Sequence, residues 1–233
     1  DAGNSALMAA AQGGHQDVIK FLLDHNAQVD NTDNDEGKTA LIKAAELGYV
    51  DAVKELLAGG ASIDMGDRSG FTPVMWATQY NRVPVVKQLL EAGCDVNAAA
   101  SGGWTALFDA ATPGLVECGR VLAQGGINLD AQRSSGATAM YIAVSGGHTE
   151  FVRMLLDEGA SPDIKRGGVA PLHLAASNGD AEMVQLLLEK GATKNITDDD
   201  DQTPLHLSST VECRRLLAPS EEDEDEDGED DDE

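Results

Sequence analysis

Five histidines, three cysteines and a short run of acids are the side chains in this 233-residue sequence best equipped to ligate a metal, shuttle a proton or attack a substrate. The histidines fall into recurring frames. His173 and His206 each follow Pro-Leu, His15 and His148 each follow Gly-Gly, and His25 precedes Asn26. No metal-ligand spacing and no nucleophile pairing links them, so structural roles are expected for all five. Cys94, Cys118 and Cys213 are odd in number and lack a Cys-x-x-Cys spacing, which points to a reducing compartment and to small buried hydrophobes. Asn31, Asp33 and Asp35 resemble the start of a calcium loop, but Glu36 stands where that loop needs Gly and Ile42 where it needs a bidentate Glu. Gly-rich phosphate loops are absent, and Asn195-Ile196-Thr197 is a glycosylation sequon only for a secreted chain. The expectation is a non-enzyme with no cofactor, no metal and no catalytic residue.

Charge narrows the partners. The net charge is −25, and residues 221–233 hold twelve acids without a Lys or Arg, which leaves −13 on residues 1–220. Such a field repels nucleic acid and anionic membrane and favours a basic, or mixed basic and apolar, protein segment. The apolar runs are too short to cross a bilayer, and no signal segment opens the sequence, which begins at Asp1. A cytoplasmic or nuclear chain, monomeric by itself, is expected. Residues 219–233 cannot bury apolar surface and are expected to be a disordered acidic tail, with Ser220 resembling an acidophilic-kinase site.

The elements that would position any site emerge from a repeat. Glycines at 3, 37, 70, 103, 136 and 168, with Asp201 in the same place, recur at spacings of 34, 33, 33, 33, 32 and 33. Thr39, Thr72, Thr105, Thr138 and Thr203 follow at helix-capping positions, and Pro73, Pro171 and Pro204 at the first helical position. Each first helix is rich in small residues, such as Ala44-Ala45 and Ala110-Ala111. A Gly-containing turn leads to a second helix with apolar spacing, as in Val85-Val86-Lys87-Gln88-Leu89-Leu90. Asn26, Gly60, Gly93, Gly126, Gly159 and Gly191 end these second helices. Neither helix buries its apolar face alone, so neighbours must stack.

Gly-x-Thr-Pro-Leu-His, then Ala-Ala, then Gly-His, then Val-Val-x-Leu-Leu-Leu, then Gly-Ala-x-x-Asn/Asp resembles the ankyrin repeat, over about residues 3–217. The resemblance implies an all-α solenoid of stacked helix-loop-helix units with β-hairpin-like loops, spanning residues 1–218. It also implies a protein-binding concave face of hairpin tips and first helices. The fourth repeat departs most, with Pro113-Gly114 in its turn and Gly119 inside its second helix, and is expected to be the softest. The last repeat is shortened like a cap. The first looks internal, so further repeats are expected upstream.

Positions that differ between copies point to a site. The residue after each opening Gly is Asn4, Lys38, Phe71, Trp104, Ala137 and Val169; six residues after it come Ala9, Lys43, Trp76, Asp109, Ile142 and Leu174. The second series contains Lys and Asp, so it is expected to lie outside the deep core. Phe71, Trp76, Tyr80 and Trp104 are expected to form one exposed aromatic surface, with Lys43, Arg68, Asp109 and Tyr141 as further partner contacts and Lys38, Glu46 and Asp67 nearby. The expected function is a protein-interaction adaptor or scaffold. The alternative is an acidic escort or inhibitor of a basic client such as a histone, ribosomal protein or transcription factor, and the order of stack then tail is similar in layout to the cytoplasmic inhibitors of Rel-type transcription factors.

Overall fold

The structure, a computed structural model, describes residues 5–219. Expectations for Gly3, Asn4, Ser220 and the acidic segment 221–233 lie outside the described residues. Fourteen α-helices occur among them: α1 (Ala6–Gln12), α2 (Gln16–Asp24), α3 (Ala40–Leu47), α4 (Val50–Ala58), α5 (Pro73–Gln79), α6 (Val83–Glu91), α7 (Ala106–Ala111), α8 (Val116–Gln124), α9 (Ala139–Ser145), α10 (Thr149–Asp157), α11 (Pro171–Asn178), α12 (Ala181–Glu189), α13 (Pro204–Leu207) and α14 (Val211–Leu217). They divide into two compact bodies, α1–α10 before Ser161 and α11–α14 after Ala160.

In the first body the odd-numbered helices pack in one row and the even-numbered helices in a second, each first helix also packing on its own second helix. Small side chains permit this. Ala10, Ala11, Ala44, Ala45, Ala77, Ala110, Ala111 and Ala143 are buried in the first row, while Ile19, Val53, Leu56, Val86, Leu89, Leu122 and Leu155 fill the second. In the second body α11 packs on α13 and α12 on α14 by the same rule.

Capping is more varied than the sequence suggests. Ser5, Thr39 and Thr138 accept from the N–H groups of Met8, Ile42 and Tyr141. Thr72 and Thr105 hold the extended cap backbone, but their buried hydroxyls make no capping bond. At Thr203 the hydroxyl meets His206 Nδ1 at 2.9 Å. His173 and His206 instead accept, through Nδ1, the backbone N–H of Ala170 and Thr203. His173 Nε2 lies 2.9 Å from the Gln202 carbonyl, to which it can only donate. Both ring nitrogens are thus committed to backbone.

The connectors are hairpin-like turns, closed by Asp33 N–H to Lys38 O, Asp67 to Phe71, Ala100 to Trp104, Arg133 to Ala137, Arg166 to Val169 and Asp198 to Gln202. In the first body adjacent hairpins are tied by Arg68 N–H to Glu36 O, Ser101 to Ser69 and Ser134 to Gly102. The repeat-opening residue, next to last in each turn, has positive φ, and Asp201 at φ 57° takes the conformation its glycine counterparts adopt without a Cβ. A second ladder explains the Asn/Asp ending each repeat: side chains of Asp30, Asp64, Asn97 and Asp163 accept from the backbone N–H of Ser62, Asp95, Asn128 and Thr193 one repeat later.

Gly119 has a packing reason. A Cβ there would lie 2.5 Å from Met154 Cε and 2.6 Å from Phe151 Cε2, so the missing side chain of α8 is the seat of the buried Phe151 ring of α10. The expectation that this residue loosens the fourth repeat weighed its propensity cost of about 1 kcal/mol without that contact.

Candidate functional site

The third repeat's hairpin and α5 build the site. Asp67 organises the turn: its Oδ1 accepts from Ser69 and Phe71 N–H, and its Oδ2 accepts from Trp76 Nε1 at 3.0 Å. The indole is thereby pinned against the loop. Phe71 meets it at a ring-centroid distance of 5.8 Å and 52°, and Tyr80 stacks on it at 6.0 Å and 16°. Phe71 and Trp76 are half-buried and Tyr80 is 44% exposed. Lys38 places its ammonium 3.5 Å from the Trp76 ring centroid, between Glu36 at 2.8 Å and Glu46 at 2.9 Å. Burial opposes its charge, but the two carboxylates outweigh burial and raise its pKa.

A pocket of about 370 Å³ opens beside these rings, lined by Asp35, Glu36, Asp67, Arg68, Ser69, Phe71, Trp76 and Gln79. The Arg68 guanidinium is tied down, donating to the carbonyls of Asp35 at 2.8 Å and Asn34 at 2.7 Å.

Trp104 makes a separate cluster in the fourth repeat. Its ring meets Phe108 at 5.5 Å, Arg133 lies 5.3 Å from its centroid, and its Nε1 donates to Asp109 Oδ1 at 2.8 Å. Asp109 is 6% exposed and its Oδ2 is buried without a hydrogen bond. Desolvation by burial raises its pKa from 3.8 to about 7, against the smaller lowering effect of the Trp104 bond.

Contrary to the expectation from sequence, Lys43 and Asp109 lie in the buried interior and not outside it. Lys43 is 9% exposed and pairs with Asp33 at 2.7 Å. Asp33 Oδ1 also accepts from Glu36, Gly37 and Lys38 N–H, so this acid organises the second hairpin. Although burial pushes the Asp33 carboxyl up, Lys43 and these N–H groups hold its pKa down at about 2. A charge on the row of first helices is thus buried when a hairpin side chain can reach it. Tyr141 is the third residue of α9 and is half-buried, with its backbone N–H donating to the Thr138 hydroxyl.

The sequence matches the family described as ankyrin repeats (3 copies) in overlapping stretches over residues 1–67, 55–133, 98–166, 127–198 and 164–227. The chain belongs to the ankyrin repeat family. Its fold class is the all-α ankyrin-repeat solenoid of helix pairs joined by hairpin-like loops. Among solved structures, it is similar to the human ASB11 ankyrin repeat domain, at 26% identity, TM-score 0.77, over 91% of this chain and 96% of that one. It is also similar to an ankyrin repeat domain from Acinetobacter baumannii AYE, at 30% identity, TM-score 0.75, over 80% and 98%. The Bcl-3 ankyrin repeat domain, from a protein described as a unique member of the IkappaB protein family, matches in fold at 24% identity, TM-score 0.88, over 94% and 100%. A search among curated proteins gave no match.

Ankyrin repeat domains are generally protein–protein interaction modules. Within this one, Phe71, Trp76, Tyr80 and Arg68 belong to one surface, while Trp104 and Asp109 form a second cluster. Asp35, Glu36, Ser69 and Gln79 also line the pocket, and they stand outside the two positional series that point to Phe71 and Trp76 in the sequence. For Asp35, Glu36 and Ser69 the available clue was their place just before the repeat-opening Gly37 and Gly70; Gln79, at the end of α5, carried none. The cysteines are chemically quiet: burial, then Glu117, pushes buried Cys118 up to about 11, and burial, then Asp64 and Asp95, does the same at half-buried Cys94. Among the described residues no group of three His, Cys, Asp or Glu is placed to hold a metal, and no helix is long and apolar enough to cross a membrane.

Proposed function

We propose that this ankyrin chain is a non-enzymatic adaptor or scaffold that captures a basic or mixed basic and apolar segment of a partner protein on the face formed by the second and third hairpins and α5. The observation that carries the reading is the 370 Å³ pocket in which Phe71 and Trp76 meet the carboxylates of Asp35, Glu36 and Asp67. Rigid aromatic rings beside charge are the usual anchors of a binding surface. The indole is held by Asp67 and Lys38, so little ordering is left for binding to impose. A cytoplasmic or nuclear setting belongs to the proposal and is supported by three unpaired cysteines. So does a tail beyond residue 218 that solvates the chain without holding the partner.

The test compares wild type, the Phe71→Ala/Tyr80→Ala double variant and a chain ending at residue 220 for partner retention at low and high salt, with circular dichroism as the folding control. The two substituted rings carry no hydrogen bonds that hold the fold. Loss of retention in the double variant at high salt, with the truncated chain unaffected, supports the adaptor. Loss on truncation or salt alone, with the double variant unaffected, replaces it with the acidic escort.

A further inference from the structure

We infer that the occupant of the Phe71–Trp76 pocket is an arginine side chain of the partner, a statement that rests on the adaptor reading and specifies its central contact. Three features select this chemistry. The lining holds three carboxylates against one guanidinium, and that guanidinium, Arg68, is already committed to the Asp35 and Asn34 carbonyls. Asp35 is exposed, and its carboxylate pairs with no cation among the described residues. An incoming cation therefore finds the Asp35 carboxylate open to it, while Glu36, paired with Lys38, and Asp67, holding the hairpin and the indole, add negative field around the rings.

The second feature is a precedent inside the molecule. Lys38 sits over the Trp76 ring between two carboxylates, so a cation on this indole flanked by acids is already a stable arrangement here. That cation is internal, and the pocket presents Phe71, Trp76 and further acids to an external one.

The third is donor count. Asp35, Glu36 and Asp67 carboxylates, the Ser69 hydroxyl and the Gln79 amide make the lining rich in acceptors, while the Phe71 and Trp76 rings, tilted at 52° to each other, each line the pocket with aromatic surface. A guanidinium carries five N–H donors in one plane that stacks on aromatic faces and forks onto carboxylates; an ammonium carries three donors and no plane. The volume of about 370 Å³ also takes the aliphatic stem and adjoining backbone. An acidic or phosphorylated segment would meet the same carboxylates and be repelled.

The experiment is selection of a random displayed peptide library against the immobilised full chain. Enriched peptides are then synthesised with the selected residue as Arg, Lys or Leu and titrated onto wild type, Phe71→Ala and Asp35→Asn. The expected result is enrichment of arginine in peptides whose binding Phe71→Ala abolishes. Affinity should fall about tenfold for Arg→Leu and about threefold for Arg→Lys, with a smaller loss on Asp35→Asn. Phe71-dependent peptides without arginine, or peptides that bind equally well with Lys, overturn the arginine assignment and leave the adaptor standing. If no peptide is recovered, or none depends on Phe71, the assignment and the adaptor fall together. Asp35 lies in an exposed loop, so its variant keeps the test valid even if Phe71→Ala disturbs the fold.

Discussion

Replacing Asp109 by Asn should stabilise the protein at neutral and alkaline pH and change little in acid. The carboxylate is 6% exposed, accepts one bond from Trp104, and leaves Oδ2 buried without a partner, so ionising it in the fold is unfavourable. Its folded pKa of about 7 lies above the 3.8 of an ordinary Asp. The sign follows from linkage: a raised carboxyl pKa favours folding fully below the unfolded value, and that advantage disappears as pH rises through the folded one. Each unit is worth about 1.4 kcal/mol, so the interval amounts to at most about 4 kcal/mol, and about 2 once local relaxation admits water. Asn retains an oxygen for the Trp104 N–H and removes the titration. Urea unfolding of wild type and Asp109→Asn at several pH values between 4 and 8 should give curves that converge in acid and separate by about 2–4 kcal/mol above pH 7, the variant being more stable. A stability difference independent of pH, or one that grows toward acid, would refute the reasoning.

Gly119→Ala should destabilise by about 1 kcal/mol despite Ala's better helix propensity, because Phe151 and Met154 occupy the space of the new Cβ. Thermal melting decides the sign, and adding Phe151→Leu should recover most of the loss. Asp33→Ala should cost about 2–3 kcal/mol by freeing three N–H groups and leaving Lys43 buried without its partner. The cost, read by chemical denaturation, should shrink as pH falls from about 4 toward 2, because the lowered pKa of Asp33 makes its contribution present above the unfolded value and lost through the folded one. His173→Ala should lower the melting temperature by leaving the buried Ala170 N–H and Gln202 carbonyl without the ring, a loss of about 2 kcal/mol in the same assay.

The fold was legible because each repeat must meet the same steric demands. A left-handed residue follows the second helix of each of the first six repeats, and Asn26 at φ 60° does there what Gly60 does at 86° and Gly191 at 89°. The aromatic face was legible in part. Phe71, Trp76 and Tyr80 stand at positions free to vary and meet in space, but Trp104 turns to Phe108 and Asp109 in its own repeat. What the sequence concealed were side-chain contacts between a helix and a loop or neighbouring helix. Lys43 and Asp109 looked exposed by type, and only a hairpin acid or an indole N–H makes their burial possible. Gly119 looked like a defect until Phe151, on the next helix pair, filled its place.

The most direct test of the central claim is amide hydrogen exchange of the chain alone and bound to an arginine-containing peptide selected as above. The account predicts added protection at residues 33–38 and 67–80, where the two hairpins and α5 line the pocket. Protection confined instead to the second helices, residues 50–58 and 83–91, would contradict it.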